Sequence, residues 1–280
     1  MSTLAYLLPA SADHHEILIG LLWDDRVLGI EERSDALVVF YLKDGSEPQA
    51  SDLKELAGNR LSGDISVEEI QDRNWNEEWE KTIAPIATGG FYIRPSWNTE
   101  GVPEGLKEII IDPKMSFGTG YHESTRLMLG GISDLVSAGD RVLDAGTGTG
   151  VLAFAALLMG AEHALAFDID PICKENADEN AVLNGVADRI EVLVGTETVM
   201  QRPNSESDHA FDIVLANINR EALRAMLPAL AKGMKQTGKI GLAGLLVSDR
   251  ALMTAELEKL KLTVIREATE GDWWSVWASR

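Results

Sequence analysis

The segment Val142-Leu143-Asp144-Ala145-Gly146-Thr147-Gly148-Thr149-Gly150 runs from apolar residues into three alternating glycines, and an apolar stretch follows. That order predicts a strand, a tight turn and a helix. Glycine lets the backbone approach a ligand without a β-carbon in the way, and the start of a helix offers unpaired N–H donors. Gly146, Gly148 and Gly150 are therefore candidate ligand-binding positions. A Gly-x-Gly-x-Gly turn alone also suits dinucleotides. Two details separate the choices. The dinucleotide fingerprint wants its third glycine where this chain has Val151. Asp144 closes the strand, where a carboxylate would repel a pyrophosphate yet attract the cationic amino group of an amino-acid-bearing cofactor.

Asp168, in Phe167-Asp168-Ile169-Asp170, follows Gly148 by 20 residues, the spacing of a carboxylate that holds ribose hydroxyls. Asp170 precedes Pro171 and reads as a helix cap. Asn217 stands in Ala216-Asn217-Ile218-Asn219 at the end of a later strand, and such strand ends face the ligand crevice. Its amide could accept a hydrogen bond from an incoming amine and aim the nitrogen lone pair at a methyl group, or it could be a turn asparagine. The run IDPKMSFGTGYHEST, residues 111–125, reads as a loop ending in a helix cap at Ser124 or Thr125. His122 within it is either a structural hydrogen-bonding group or a base. No His, Cys and carboxylate cluster at metal-ligand spacing and no nucleophile elbow occurs, so no metal is expected.

From residue 140 onward, strands and helices alternate. Strands are expected at 141–144, 164–168, 190–194, 211–216, 239–245, 262–267 and 273–278, with helices at 150–159, 171–184 and 220–232. This is an α/β class, a Rossmann-like doubly wound sheet, with the final two strands forming an antiparallel edge. Residues 4–8, 13–24, 27–33, 36–43, a helix capped by Ser51, and 64–71 give β-α-β-β-α-β, the ferredoxin-like α+β order. Residues 74–82 read as a connecting helix with Trp75 and Trp79 on one face, packing between domains. Strands are also expected at 89–97 and 108–111. The division is 1–72, 73–98 as linker helix and connecting strand, and 99–280 as catalytic domain.

The 280 residues carry a formal net charge of −20. Residues 1–72 hold 15 acidic and 5 basic side chains, so half of the excess sits in about a quarter of the chain. Such a surface either keeps the protein in solution or docks a basic partner that its field steers. Without a Lys/Arg cluster, direct nucleic-acid binding is not expected. A single cysteine excludes an internal disulfide. The start lacks a basic leader, and the longest nearly apolar stretch, 151–161, is about half a bilayer span. A cytoplasmic chain with no membrane association is expected.

Together these pieces resemble the ribosomal protein L-eleven methyltransferases, the PrmA family, over most of the chain. DPKMSFGTGYHEST is similar to that family's Asp-Pro-x-x-x-Phe-Gly-Thr-Gly-x-His-x-x-Thr signature. VLDAGTGTG, AFDIDP and LANI follow in its order, FYIRPSW and GLAGLL resemble flanking strands, and EGDWWSVWASR resembles its closing Gly-x-Trp strand. Tyr121, Glu123 and Ser124 depart from the pattern and add bulk and charge beside the cofactor loop. The resemblance implies a class I methyltransferase domain using S-adenosylmethionine. It also implies a small N-terminal domain that recognises a basic large-subunit ribosomal protein, and methylation of lysine ε-amines and an N-terminal α-amine. Phe117, Gly118, Thr119, His122 and Thr125 would then belong to the cofactor loop, Asp144 to the methionine amino end, Asp168 to the ribose, and Asn217 to both cofactor and amine. A monomer is expected. Another class I methyltransferase, acting on a different protein or a small molecule, is the alternative; a nicotinamide oxidoreductase is disfavoured by Val151.

Overall fold

The computed structural model describes residues 3–22, 24, 26–70, 83–113, 118–201 and 211–280. Phe117, Trp75 and Trp79 lie outside these, as does the expected linker helix. The chain divides into two compact units, Met1–Thr82 and Ile83–Arg280.

In the first unit, period-two alternation builds one buried sheet face. Strands β1 (Thr3–Pro9), β2 (Val27–Glu32), β3 (Ala36–Leu42) and β4 (Ser66–Ile70) pair in the order β2-β3-β1-β4, every pair antiparallel. Tyr6 and Leu8 of β1 and Leu37, Val39 and Tyr41 of β3 share a core with Leu18 and Leu22 of α1 (His15–Leu22) and with Leu53 and Ala57 of α2 (Ala50–Ala57). The helical pairs are four residues apart, so each helix presents one stripe to the sheet. This is the expected ferredoxin-like arrangement. One detail differs: α2 is capped at Gln49, whose N–H donates to Asp52 at 3.1 Å, and Ser51 lies inside the helix.

The second unit opens with β5 (Ile86–Thr88), β6 (Phe91–Arg94) and β7 (Lys107–Ile110), a three-stranded sheet. The expected strand at 89–97 is thus cut short, because Gly89 and Gly90, both with positive φ, turn the chain between β5 and β6. Seven further strands form the main sheet: β8 (Arg141–Ala145), β9 (His163–Asp168), β10 (Ile190–Val194), β11 (Phe211–Asn217), β12 (Met234–Leu246), β13 (Thr263–Glu270) and β14 (Trp273–Ser279). Their order is β10-β9-β8-β11-β12-β14-β13. From β10 to β12 all neighbours are parallel, as the doubly wound reading requires. The final two strands form the expected antiparallel edge, the last one inserting between β12 and β13 and running antiparallel to both. The order reverses between β8 and β11, and there a crevice opens at the carboxyl ends of the strands.

Among the described residues, five helices cover this sheet: α3 (Glu123–Leu135), α4 (Val151–Leu158), α5 (Pro171–Leu183), α6 (Arg220–Gly233) and α7 (Arg250–Lys259). Sequence reading did not foresee α7, whose inward stripe consists of Met253 and Leu257 alone. Helix α4 is apolar all round, with seven of its eight residues buried, which fits its central position against β7, β8 and β9. Helix α3 approaches β14 so closely that a β-carbon on Gly131 would stand 2.1 Å from the indole nitrogen of Trp277. That glycine lets the helix carrying His122 at its N-terminus lie against the sheet.

Candidate active site

At the reversal point the turn after β8 meets the turn after β11. Gly146 and Gly148 have φ of +72° and +54°, in the left-handed region that favours glycine. A β-carbon on Gly146 would stand 2.2 Å from Ile218 Cγ2, so the glycine turn and the Asn217 turn touch through a position that admits no side chain. Gly244 completes the constriction from β12. It has φ +76°, its β-carbon would meet the Ile218 carbonyl oxygen at 2.3 Å, and it lies where the β12–β14 register shifts.

These turns border a cavity of about 500 Å³ lined by His122, Ser124, Gly146, Gly148, Asp168, Asp170, Cys173, Asn217, Ile218, Asn219, Gly244 and Trp273. Five expected residues are therefore brought together there: His122, Gly146, Gly148, Asp168 and Asn217. The carboxylate of Asp168 accepts from the Gly148 N–H at 3.0 Å and from the Asp170 N–H at 3.1 Å, which fixes its orientation at the end of β9. Asp170 caps α5, accepting from the Ile172 N–H at 2.9 Å. Asn217 donates from Nδ2 to Thr125 Oγ1 at 3.2 Å, while its buried Oδ1 has no hydrogen-bond partner. A buried acceptor without a donor is costly in isolation, and it suits a ligand that brings a donor.

The other described candidates do not line this cavity. Asp144 is fully buried and does not line the cavity; its Oδ2 accepts from Thr147 Oγ1 at 2.8 Å, so it supports the glycine turn from below. Burial pushes its carboxyl up to about 7, and the nearby charge of Asp168 adds to that. Thr125 is buried and backs Asn217. Gly150, with φ +90°, packs on Phe154. The carbonyl of Gly118 accepts from Thr149 Oγ1 at 2.7 Å, whereas Thr119 lines a separate small pocket with Tyr121.

His122 proves to be the N-cap of α3, accepting from the Ser124 N–H at 3.2 Å; Ser124 and Thr125, the expected caps, are buried within the first turn. Its ring meets that of Trp273 edge-on at 4.4 Å. Trp273 was not among the candidate residues, although the closing Gly-x-Trp pattern pointed to its strand. Among the described residues, no group of three His, Cys, Asp or Glu is arranged to hold a metal ion.

The model of the family "Ribosomal protein L11 methyltransferase (PrmA)" matches residues 23–280. The chain belongs to the ribosomal protein L11 methyltransferase family. Curated relatives bearing that name include one from Deinococcus radiodurans, 33% identical over 99% of both chains. Another, from Myxococcus xanthus, is 34% identical over 92% of both. A solved ribosomal protein L11 methylase from Lactobacillus delbrueckii subsp. bulgaricus superposes with a TM-score of 0.64 at 28% identity, over 71% of this chain and 99% of that one. As a member of this methyltransferase family, the chain is an enzyme whose methyl donor is S-adenosylmethionine. The cavity fits that donor. Its volume lies within the usual range for small-molecule sites, the Gly146 and Gly148 backbone is open to it, and Asn217 Oδ1 has an unused lone pair.

Proposed function

We propose that the chain methylates amino groups of ribosomal protein L11, lysine ε-amines and the N-terminal α-amine, at the cavity between the β8 and β11 turns. The observation that carries this reading is the partnerless Oδ1 of Asn217 in a cavity also lined by Gly146, Gly148 and Asp168. When bound, S-adenosylmethionine supplies an electrophilic methyl group on a sulfonium. Asp168 accepts hydrogen bonds from the ribose hydroxyls, and the glycine turn lets backbone stand against the amino-acid end. Asp144 holds that turn from beneath. Asn217 Oδ1 accepts one N–H of the incoming amine and so directs the nitrogen lone pair, with Thr125 fixing the amide from behind. An ammonium of ordinary pKa, about 10.4, has no lone pair near neutrality. The cavity therefore has to favour the neutral amine, which removal from water does. Positioning supplies much of the remaining rate.

The acidic first unit is the surface proposed to receive L11. Of the five Lys and Arg residues within 1–72, Arg26, Arg33, Lys43 and Lys54 are each paired with a carboxylate, and the 15 acidic side chains there still leave a large negative excess. Among the described residues no helix is long and apolar enough to cross a membrane. The reading takes the enzyme to act in the cytoplasm, as a single chain, on a protein rather than on nucleic acid.

Incubating the purified chain with radiolabelled S-adenosylmethionine and ribosomal proteins should label L11. Asn217→Ala should cut turnover strongly while calorimetric affinity for the cofactor stays nearly intact, because the contact is made at the transferring nitrogen. Label on another acceptor and none on L11 overturns the substrate reading; equal losses of turnover and affinity overturn the role of Asn217.

A further inference from the structure

Three asparagines, Asn176, Asn180 and Asn184, fall four residues apart along α5 and at its C-cap, on one helical face. They grip the end of β7 and the chain just after it. Asn184 accepts from the Ile110 N–H at 2.8 Å and returns a hydrogen bond to the Ile110 carbonyl at 2.7 Å. Asn176 donates to the Asp112 carbonyl at 2.8 Å. Asn180, fully buried, does more. Its Oδ1 accepts from the Asp112 N–H at 3.0 Å, and its Nδ2 donates to the carbonyls of Thr149 at 3.1 Å and Asp112 at 3.4 Å.

Thr149 is itself fully buried, and its side chain donates to the Gly118 carbonyl at 2.7 Å. There is no slack at that contact, since a β-carbon on Gly118 would lie 2.8 Å from Thr149 Oγ1. One amide therefore holds Asp112 directly and Gly118 through Thr149. Thr149 follows Gly148, whose N–H orients the Asp168 carboxylate. Four residues beyond Gly118 stands His122, on the cavity wall.

We infer that Asn180 is a positioning residue for methyl transfer, holding the Gly118–His122 segment in register with the glycine turn through Thr149. The inference rests on the cavity being the site of the proposed reaction. Asn180 does not line the cavity; it acts by setting where Gly148 and Gly118 stand. Asn184 is the internal control. It makes the same kind of paired contact one turn further along the helix, with Ile110 rather than Thr149.

The test compares full-length Asn180→Ala, Thr149→Val, the double variant and Asn184→Ala, each checked for folding by thermal unfolding. Two readouts are taken: calorimetric affinity for S-adenosylhomocysteine, which needs no protein substrate, and turnover on L11. Asn180→Ala should weaken affinity about tenfold, equivalent to about 1.4 kcal/mol, and lower turnover by on the order of 100-fold, the scale of a small misplacement of reacting groups. Thr149→Val, which keeps the shape but removes the donor, should do the same, and the double variant should be little worse than either single one. Asn184→Ala should lose thermal stability while keeping both functional values. Equal functional losses in Asn180→Ala and Asn184→Ala, or additive losses in the double variant, overturn the inference. If Asn180→Ala does not fold, an unchanged Thr149→Val overturns it alone. A wild-type chain that binds S-adenosylhomocysteine but leaves L11 unlabelled refutes the substrate reading, and the affinity comparison still decides the role of Asn180.

Discussion

Asp144 shows how a residue within a ligand-binding motif can come to lie behind the cavity wall. As the last carboxylate of a strand before a glycine turn it looks like a cofactor contact. The turn folds over it, Thr147 closes the gap, and the carboxyl ends fully buried with its pKa raised to about 7. The pH consequence follows from proton counting. Between the ordinary 3.8 and about 7 the folded chain keeps this proton while the unfolded chain has released it, so this group's contribution falls as pH rises through that interval and levels off above it. Asp144→Asn, which mimics the protonated form, should therefore gain melting temperature relative to wild type between pH 5 and pH 8. A pH-independent difference between the two melting curves would show that the carboxyl is not neutral in the fold.

At the scale of elements, the close contacts that shape the site are made by small residues. Gly131 lets α3 meet Trp277, and α3 carries both His122 and Thr125 toward the cavity. Gly131→Ala should destabilise the chain by about 1–3 kcal/mol, the cost of overpacking, whereas Gly139→Ala, with open space around the added carbon, should be governed by its positive φ alone. Denaturant midpoints measure both, and turnover should fall with Gly131→Ala because α3 is pushed away from Asn217. The parallel strands and the glycine turn were legible in sequence because their periodicity and turn chemistry are local. Gly244 and Trp273 were not, because their place in the wall arises from β14 inserting beside β12. The asparagine spacing on α5 carries no signal of its own in the sequence, because its partners at Ile110 and Asp112 lie 64 to 74 residues away. The cap of α3 was misplaced because burial, not propensity, decides that Ser124 and Thr125 turn inward.

At the scale of the whole molecule, charge is distributed unequally between the units. The first 72 residues hold 15 acidic and 5 basic side chains, and the pairs Arg26–Asp24, Arg33–Glu31, Lys43–Glu69 and Lys54–Asp64 are all at least partly exposed. Exposed pairs contribute little stability, so this surface is better suited to steering a basic partner than to holding the fold together. Steering acts over a Debye length of about 8 Å at physiological ionic strength and shortens as salt is added. Methylation of L11 by the full-length chain should therefore lose kcat/KM steeply between low and physiological salt, mainly through KM. Affinity for S-adenosylhomocysteine, set in a cavity of the second unit, should hardly move. Charge reversal at exposed positions of the first unit, such as Glu55→Lys with Glu68→Lys, should flatten the salt dependence and raise KM for L11 at low salt. Both residues lie outside the cavity, so kcat at saturating L11 should be retained. A salt profile identical for wild type and the reversed chain would leave the acidic unit with a solubilising role and no part in docking.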